Sequence, residues 1–241
     1  MTDSPLDAFL ADAHLAPEVF ALRPDYRAML VAVDGITPGP SDATSDALLR
    51  AAEESATRAL AESAVTDLPH IAAWRDAYTA FGAKPGRTRN SLEALVRRAT
   101  GGLPRVNRLT DVYNAISVAH QIPLGGEDLA AYDGAPHLVR ATGTEHFDTT
   151  ADGEDVVDRP EPGEVVWRDA TGVTCRRWNW RQGRRTRLRE DTTSALFILD
   201  ALEPLGDDEL VSIADELAGH LVGLGPHVTH ARRTLSATDP G

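Results

Sequence analysis

The chain has 241 residues, 42% of them apolar and 25% charged, enough to bury a sizeable core in one large domain. A formal charge of −13 and a pI near 5.0 exclude sequence-indifferent binding of nucleic acid over the whole surface, so any RNA contact must be local. The single Cys175 excludes an internal disulfide and a multi-cysteine zinc site, and no run approaches the roughly 18 apolar residues of a membrane helix.

The histidines show neither HxxxH nor HExxH spacing, so no metal and no cofactor is expected. The N-terminus lacks a basic start followed by an apolar run, and a soluble cytoplasmic protein without membrane association is expected.

In chain order, residues 17–36 carry β-favouring Val, Phe, Tyr and Ile in short runs ending at Gly35, which predicts one or two strands, and 39–43 reads as a turn. From Ser45 to Ala64, Leu48, Leu49, Ala52, Ala56 and Leu60 recur three or four apart, predicting an amphipathic helix with an acidic outer face. A second helix follows near Leu68 to Phe81. Next comes a Gly/Pro loop into a helix with Asn90 as N-cap and Glu93 as capping-box partner, stopping at Gly101-Gly102.

The helix at about 106–121 has two faces. Leu109, Val112, Ile116 and Ala119 form an apolar stripe, whereas Asn107, Asp111, Asn114, Ser117 and Gln121 fall together on another, an unusual set for a solvent face. Beyond it, PLGGEDL, HLVRAT, GEVVWRDA and GVTCRRWNWRQG suggest a sheet of short strands, with Thr171-Gly172 and Gln182-Gly183 as turns. SALFILDA (194–201) reads as a buried strand, 207–224 as an amphipathic helix, and the tail from Pro226 as a flexible end. Helices followed by strands point to an α+β fold, taken as a single domain over 1–241 with its core at about 17–222.

Seven arginines crowd into RRWNWRQGRRTRLR (176–189), interleaved with Trp178 and Trp180, in a chain that is acidic elsewhere. On a strand, Arg177 and Asn179 would share one face and Arg176, Trp178 and Trp180 the other. Arginine beside exposed aromatics suits phosphate contact and base stacking, and the bland alternative is a solvated hairpin whose arginines pair with nearby acids.

The stripe Asn107, Asp111, Asn114 suits a polar ligand, or else ties down loop backbone. The pair Gly125-Gly126 would let backbone N–H groups approach a substrate carbonyl, and Glu127 and Asp128 are either loop anchors or binders of a cationic amine. No GxSxG elbow or triad spacing exists, which disfavours a serine hydrolase, and neither His120 nor His146 stands out as a base.

Several of these motifs, in fixed order, carry a family resemblance: Lys84-Pro85, NRLTDVYNAIS (107–117), PLGGEDL (123–129), CRRWNWR (175–181) and EDT (190–192). The chain resembles freestanding members of the B3/B4 family, the domain that edits wrongly charged tRNA inside the β subunit of phenylalanyl-tRNA synthetase. The resemblance spans roughly 17–222 and implies a B3/B4-like mixed β-sheet flanked by helices.

It further implies a trans-acting aminoacyl-tRNA deacylase whose partner is the aminoacylated 3′ end of tRNA. In that reading Asn114, Gly125 and Gly126 orient ester and water, and Asn107, Asp111, Tyr113, Glu127, Asp128, Arg177, Trp178, Asn179 and Trp180 surround the substrate. Arg176, Arg181, Arg184 and Arg185 face RNA.

Two departures stand out. Gly125 and Tyr113 occupy the places of the synthetase pocket's histidine and threonine, and CRRWNWR replaces its glycine-rich AGVMGG wall, which implies a different amino-acid side chain. The missing histidine also motivates a second reading, a non-catalytic module that binds tRNA or an amino-acid-like ligand.

Overall fold

The computed structural model describes residues 4–238. Its first helices and strands are α1 (Pro5–Ala11), β1 (His14–Leu15), α2 (Pro17–Phe20) and β2 (Arg27–Asp34). A helical stretch follows with α3 (Ala43–Glu62), α4 (Pro69–Ala80), α5 (Ser91–Ala99) and α6 (Arg108–Ala119). Then come β3 (Leu124–Asp128), β4 (His137–Arg140), β5 (Phe147–Ala151), β6 (Glu154–Asp158), β7 (Val165–Arg168), β8 (Val173–Arg176), β9 (Arg181–Gln182) and β10 (Ser194–Ala201). The elements end with α7 (Asp207–Val222) and β11 (Thr229–Leu235).

The expected α+β class is found, with one mixed sheet. A five-stranded sheet runs β1-β4-β7-β8-β9, with β1 parallel to β4 and the other pairs antiparallel. A four-stranded antiparallel sheet runs β11-β2-β10-β3, and β5 and β6 form a separate hairpin.

The central strands β2 and β10 are apolar on both faces because both faces are covered. Ala28, Leu30, Leu196 and Ile198 join Trp74, Trp167 and Trp178 in the core between the two sheets. Met29, Val31, Phe197 and Leu199 pack instead on Leu109, Val112 and Ile116 of α6 and on Leu210, Ile213 and Leu217 of α7. The back of α6 presents Ala115 and Val118 to Leu49, Ala52 and Ala56 of α3. Those two residues complete the buried surface of α6, and Ala119, expected in the apolar stripe, is exposed.

Other sequence expectations need correction. Residues 17–20 are helical, because Pro17 sits at the first position of α2 and has no N–H to lose there, so the strand begins only at Arg27. The segment 39–43 is a loop that ends in Asp42, which caps α3 by accepting from Thr44 and Ser45 N–H. Glu93 does not return to the Asn90 backbone; it is fully buried and holds Arg75 at 3.0 Å and Arg97 at 2.8 Å.

Residues 177–180 are a turn. Arg177 and Trp178 have φ of 48° and 68°, so the expected alternation of faces is absent. The Trp178 N–H bonds Val165 O (2.7 Å), which carries its ring into the core. Gln182 lies within β9, while Thr171-Gly172 does turn β7 into β8. The expected flexible tail instead forms β11, paired with β2 from Thr229 to Leu235. No helix among the described residues is long and apolar enough to cross a membrane.

Candidate active site

The two sheets and the α5–α6 pair enclose a cavity of about 410 Å³. Its outer part is formed by Arg87, Arg89, Ser91 and Arg98, which precede or ride on α5. Its inner part is formed by Asn114 on α6, Gly125 and Glu127 on β3, Trp167, Cys175 and the segment Trp178–Gln182, with Ile198 and Asp200 on β10.

The glycine pair of β3 is asymmetric. A Cβ on Gly125 would lie 2.9 Å from Gln182 Nε2, so its hydrogen leaves room for Gln182 to cross and donate to Gly126 O (2.9 Å). Gly126 does not line the cavity; a Cβ there would meet Leu188 and Phe197 at 2.8 Å. Its role is close packing of β3.

Two polar side chains on the cavity wall keep hydrogen-bonding capacity that the protein does not use. The Asn114 amide makes no hydrogen bond to any described residue, although the residue is only 6% exposed. Glu127 is 1% exposed; its Oε2 accepts from the Tyr132 hydroxyl, and its Oε1 is buried without a well-formed hydrogen bond, with the Thr174 hydroxyl close enough to favour the ionised form. Burial pushes the Glu127 carboxyl up to about 7.

Asp200 is pushed up to about 7 by burial as well, but its oxygens are engaged. Tyr26 Oη donates to Oδ1 (2.6 Å) and Asn179 Nδ2 to Oδ2 (3.3 Å), while Asn179 Oδ1 accepts from Tyr78 Oη (3.0 Å). The Asp200 N–H bonds Pro123 O, four residues along β3 from Glu127. The two acids therefore leave the sheet at different levels and share no hydrogen bond among the described residues, although the Glu127 charge helps to raise Asp200. Burial raises the Cys175 thiol well above its ordinary value, so it lines the wall as a neutral group and not as a thiolate.

Several predicted ligand or RNA contacts have internal partners instead. Arg176 is 5% exposed and forks onto Glu164, both bonds 2.8 Å, with Asp158 as a second acid. Arg185 bridges Asp169 (2.8 Å) and Ala131 O, and Arg184 meets Asp155 at 3.0 Å. Trp178 is fully buried, edge-on to Tyr26 and Trp74 with ring centroids 4.9 and 5.2 Å away.

Asn107 caps α6 by accepting from Thr110 N–H. Asp111 accepts from Val106 N–H and Ser45 Oγ, and Asp128 from Ala130 N–H and Thr192 Oγ1. All three are structural anchors. Asn114, Tyr113, Gly125, Glu127, Asn179, Trp180 and Arg181 do converge on the cavity. Arg177 donates to Thr88, and its guanidinium and that of Arg181 each lie 4.6 Å from the Trp180 ring centroid.

A model of the B3/4 domain matches residues 73–209, more than half of the chain. The chain belongs to the B3/4 domain family. Every residue lining the cavity falls inside the matched segment of the B3/4 domain. Among solved structures, the chain is similar to an N-terminal fragment of the phenylalanyl-tRNA synthetase β subunit from Pyrococcus horikoshii. The likeness has 12% identity and a TM-score of 0.41, over 86% of this chain and 48% of that one. The chain thus spans about half the length of that structure. No curated protein matches it.

Sequence reasoning missed Arg87, Arg89, Arg98, Gln182 and Asp200 as members of this B3/4 cavity. A signal existed for Asp200 alone: an acid inside the apolar run SALFILDA must be protonated or bonded. Arg87 and Arg89, which precede α5, and Arg98, on it, follow no spacing that marks them as a group, and only folding brings them to the mouth.

Proposed function

We propose that this protein hydrolyses the ester joining an amino acid to the terminal ribose of a tRNA. The observation that carries the reading is the convergence of Asn114, whose amide makes no hydrogen bond to the described protein, and Glu127, whose Oε1 is buried without one, on one cavity whose mouth is lined by arginines. A buried polar group without a partner costs folding free energy, so a ligand that supplies the partner explains its retention.

In this reading the Asn114 amide donates to the ester carbonyl as charge develops on its oxygen. Glu127 Oε1 accepts from the α-ammonium group. Gly125, bearing no side chain, admits the Gln182 side chain to the wall against which the ester lies. The neighbouring ribose hydroxyl supplies the acid and base, since no histidine among the described residues lines the cavity. Arg181, held against Trp180, meets the ribose-phosphate.

The test is a deacylation screen of the purified protein over all charged tRNAs, misacylated ones included. Accelerated ester loss on at least one is expected, and acceleration on none by folded protein rules the activity out. Gly125, standing where the synthetase pocket has histidine, favours a second reading of a binder without catalysis. Tight binding of charged tRNA with an unchanged ester half-life would select it.

A further inference from the structure

Beside the first cavity lies a second of about 360 Å³, lined by Lys84, Arg87, Thr88, Arg177, Glu161 and Glu164 among others. The two are joined: Arg87 lines both, and Arg177 of the second rests on Trp180 of the first. Lys84 is the only lysine in the chain. Neither Lys84 nor Arg87 has a carboxylate within ion-pair distance among the described residues, whereas Glu164 is already engaged by Arg176 and Arg177. Glu161 is the one carboxylate of this cavity left exposed.

A cavity of about 410 Å³ takes one drug-sized group, here a terminal nucleoside with its amino acid. A longer strand must leave through the mouth, and Arg87, which lines both cavities, leads from there to Lys84. We propose that the second cavity holds the phosphodiester backbone of a single-stranded nucleic-acid 3′ end whose terminal residue occupies the first, with Lys84 as a phosphate contact. The inference rests on the proposed activity for its terminal residue, but backbone binding can be measured without it.

The probe is a short ribo-oligonucleotide ending in CCA, titrated against wild-type protein, Lys84→Ala, Lys84→Glu and Lys84→Arg at several salt concentrations. Lys84→Ala should weaken binding about fivefold and flatten the slope of log K against log salt by about 0.7, the value for one phosphate on a single strand. Lys84→Glu should weaken it further, and Lys84→Arg should retain it. Unchanged affinity and slope in Lys84→Glu would overturn the proposal.

A second arm compares hydrolysis of aminoacyl-tRNA with that of an aminoacyl-adenosine, which has no backbone phosphate. Lys84→Ala should slow the first and spare the second; an equal loss on both would also overturn the proposal. If wild-type protein hydrolyses neither substrate, the deacylase reading fails while the titration still decides the backbone site.

Discussion

At the scale of single residues, the cavity separates groups that hold the fold from groups left open to a ligand. Asn114 donates to nothing in the protein, so Asn114→Ala should leave the melting temperature nearly unchanged. Loss of one donor aimed at a developing oxyanion typically costs about 10²-fold in kcat, and a decrease of that order with little change in KM is expected on the tRNA substrate. An Asn114→Ala enzyme with full kcat removes the assigned role. Glu127 makes a sharper prediction because its carboxyl is pushed up to about 7. Only its ionised form pairs with an ammonium group, so wild-type kcat/KM should exceed that of Glu127→Gln at pH 8 and converge toward it at pH 6. A ratio constant across that range would show that the negative charge is not used.

At the scale of elements, regular periodicity was legible in the sequence and local reversals were not. The three- and four-residue spacing of Leu49, Ala52 and Ala56 placed α3 within two residues at each end, because burial against one face is what that spacing encodes. CRRWNWR looked like a strand because its residues alternate in character. The turn at Arg177 and Trp178 instead depends on the distant Val165 carbonyl and on a buried slot for the Trp178 ring. β11, with sequence THARRTL, is a polar edge strand that gains order by pairing with β2, which no local pattern signals.

The same turn sorts the arginines. Arg176→Ala would remove the two-pronged partner of buried Glu164 and leave it only Arg177 at 3.5 Å and backbone N–H groups, and a loss of about 3 kcal/mol in chemical denaturation is expected. Arg181 is exposed, and among the described residues its guanidinium makes no ion pair and rests on the Trp180 ring, so Arg181→Ala should cost no more than about 1 kcal/mol while weakening charged-tRNA binding. Equal stability of the two variants would contradict this division between a structural and a ligand-facing arginine.

At the scale of the whole molecule, the α+β class and the order of the motifs were legible, whereas the cavity was not, because it forms only where two sheets and two helices meet. Among the buried groups of the fold, His70, Asp200 and Glu127 shift far enough to titrate between about pH 4 and 7, with opposing effects on stability. His70 accepts from Leu202 N–H through Nε2 and so donates from Nδ1 to Gln121 O. It is neutral, with burial lowering its value to about 4. Between pH 4 and 6.5 the unfolded chain binds this proton and the folded chain does not, so His70 makes stability rise with pH across that window. Asp200 and Glu127, both raised to about 7, work the other way: from about pH 4 to 7 the folded chain keeps protons that the unfolded chain releases, and stability falls as pH rises. Two carboxylates against one histidine predict a net decline in stability from pH 5 to pH 8. Asp200→Asn removes one of the two carboxylates while retaining an acceptor for Tyr26. Relative to wild type, the variant should gain about 3 kcal/mol in unfolding free energy on going from pH 5 to pH 8. Urea melts of both proteins at the two pH values measure this directly, and parallel pH profiles would mean that Asp200 is ionised in the folded state.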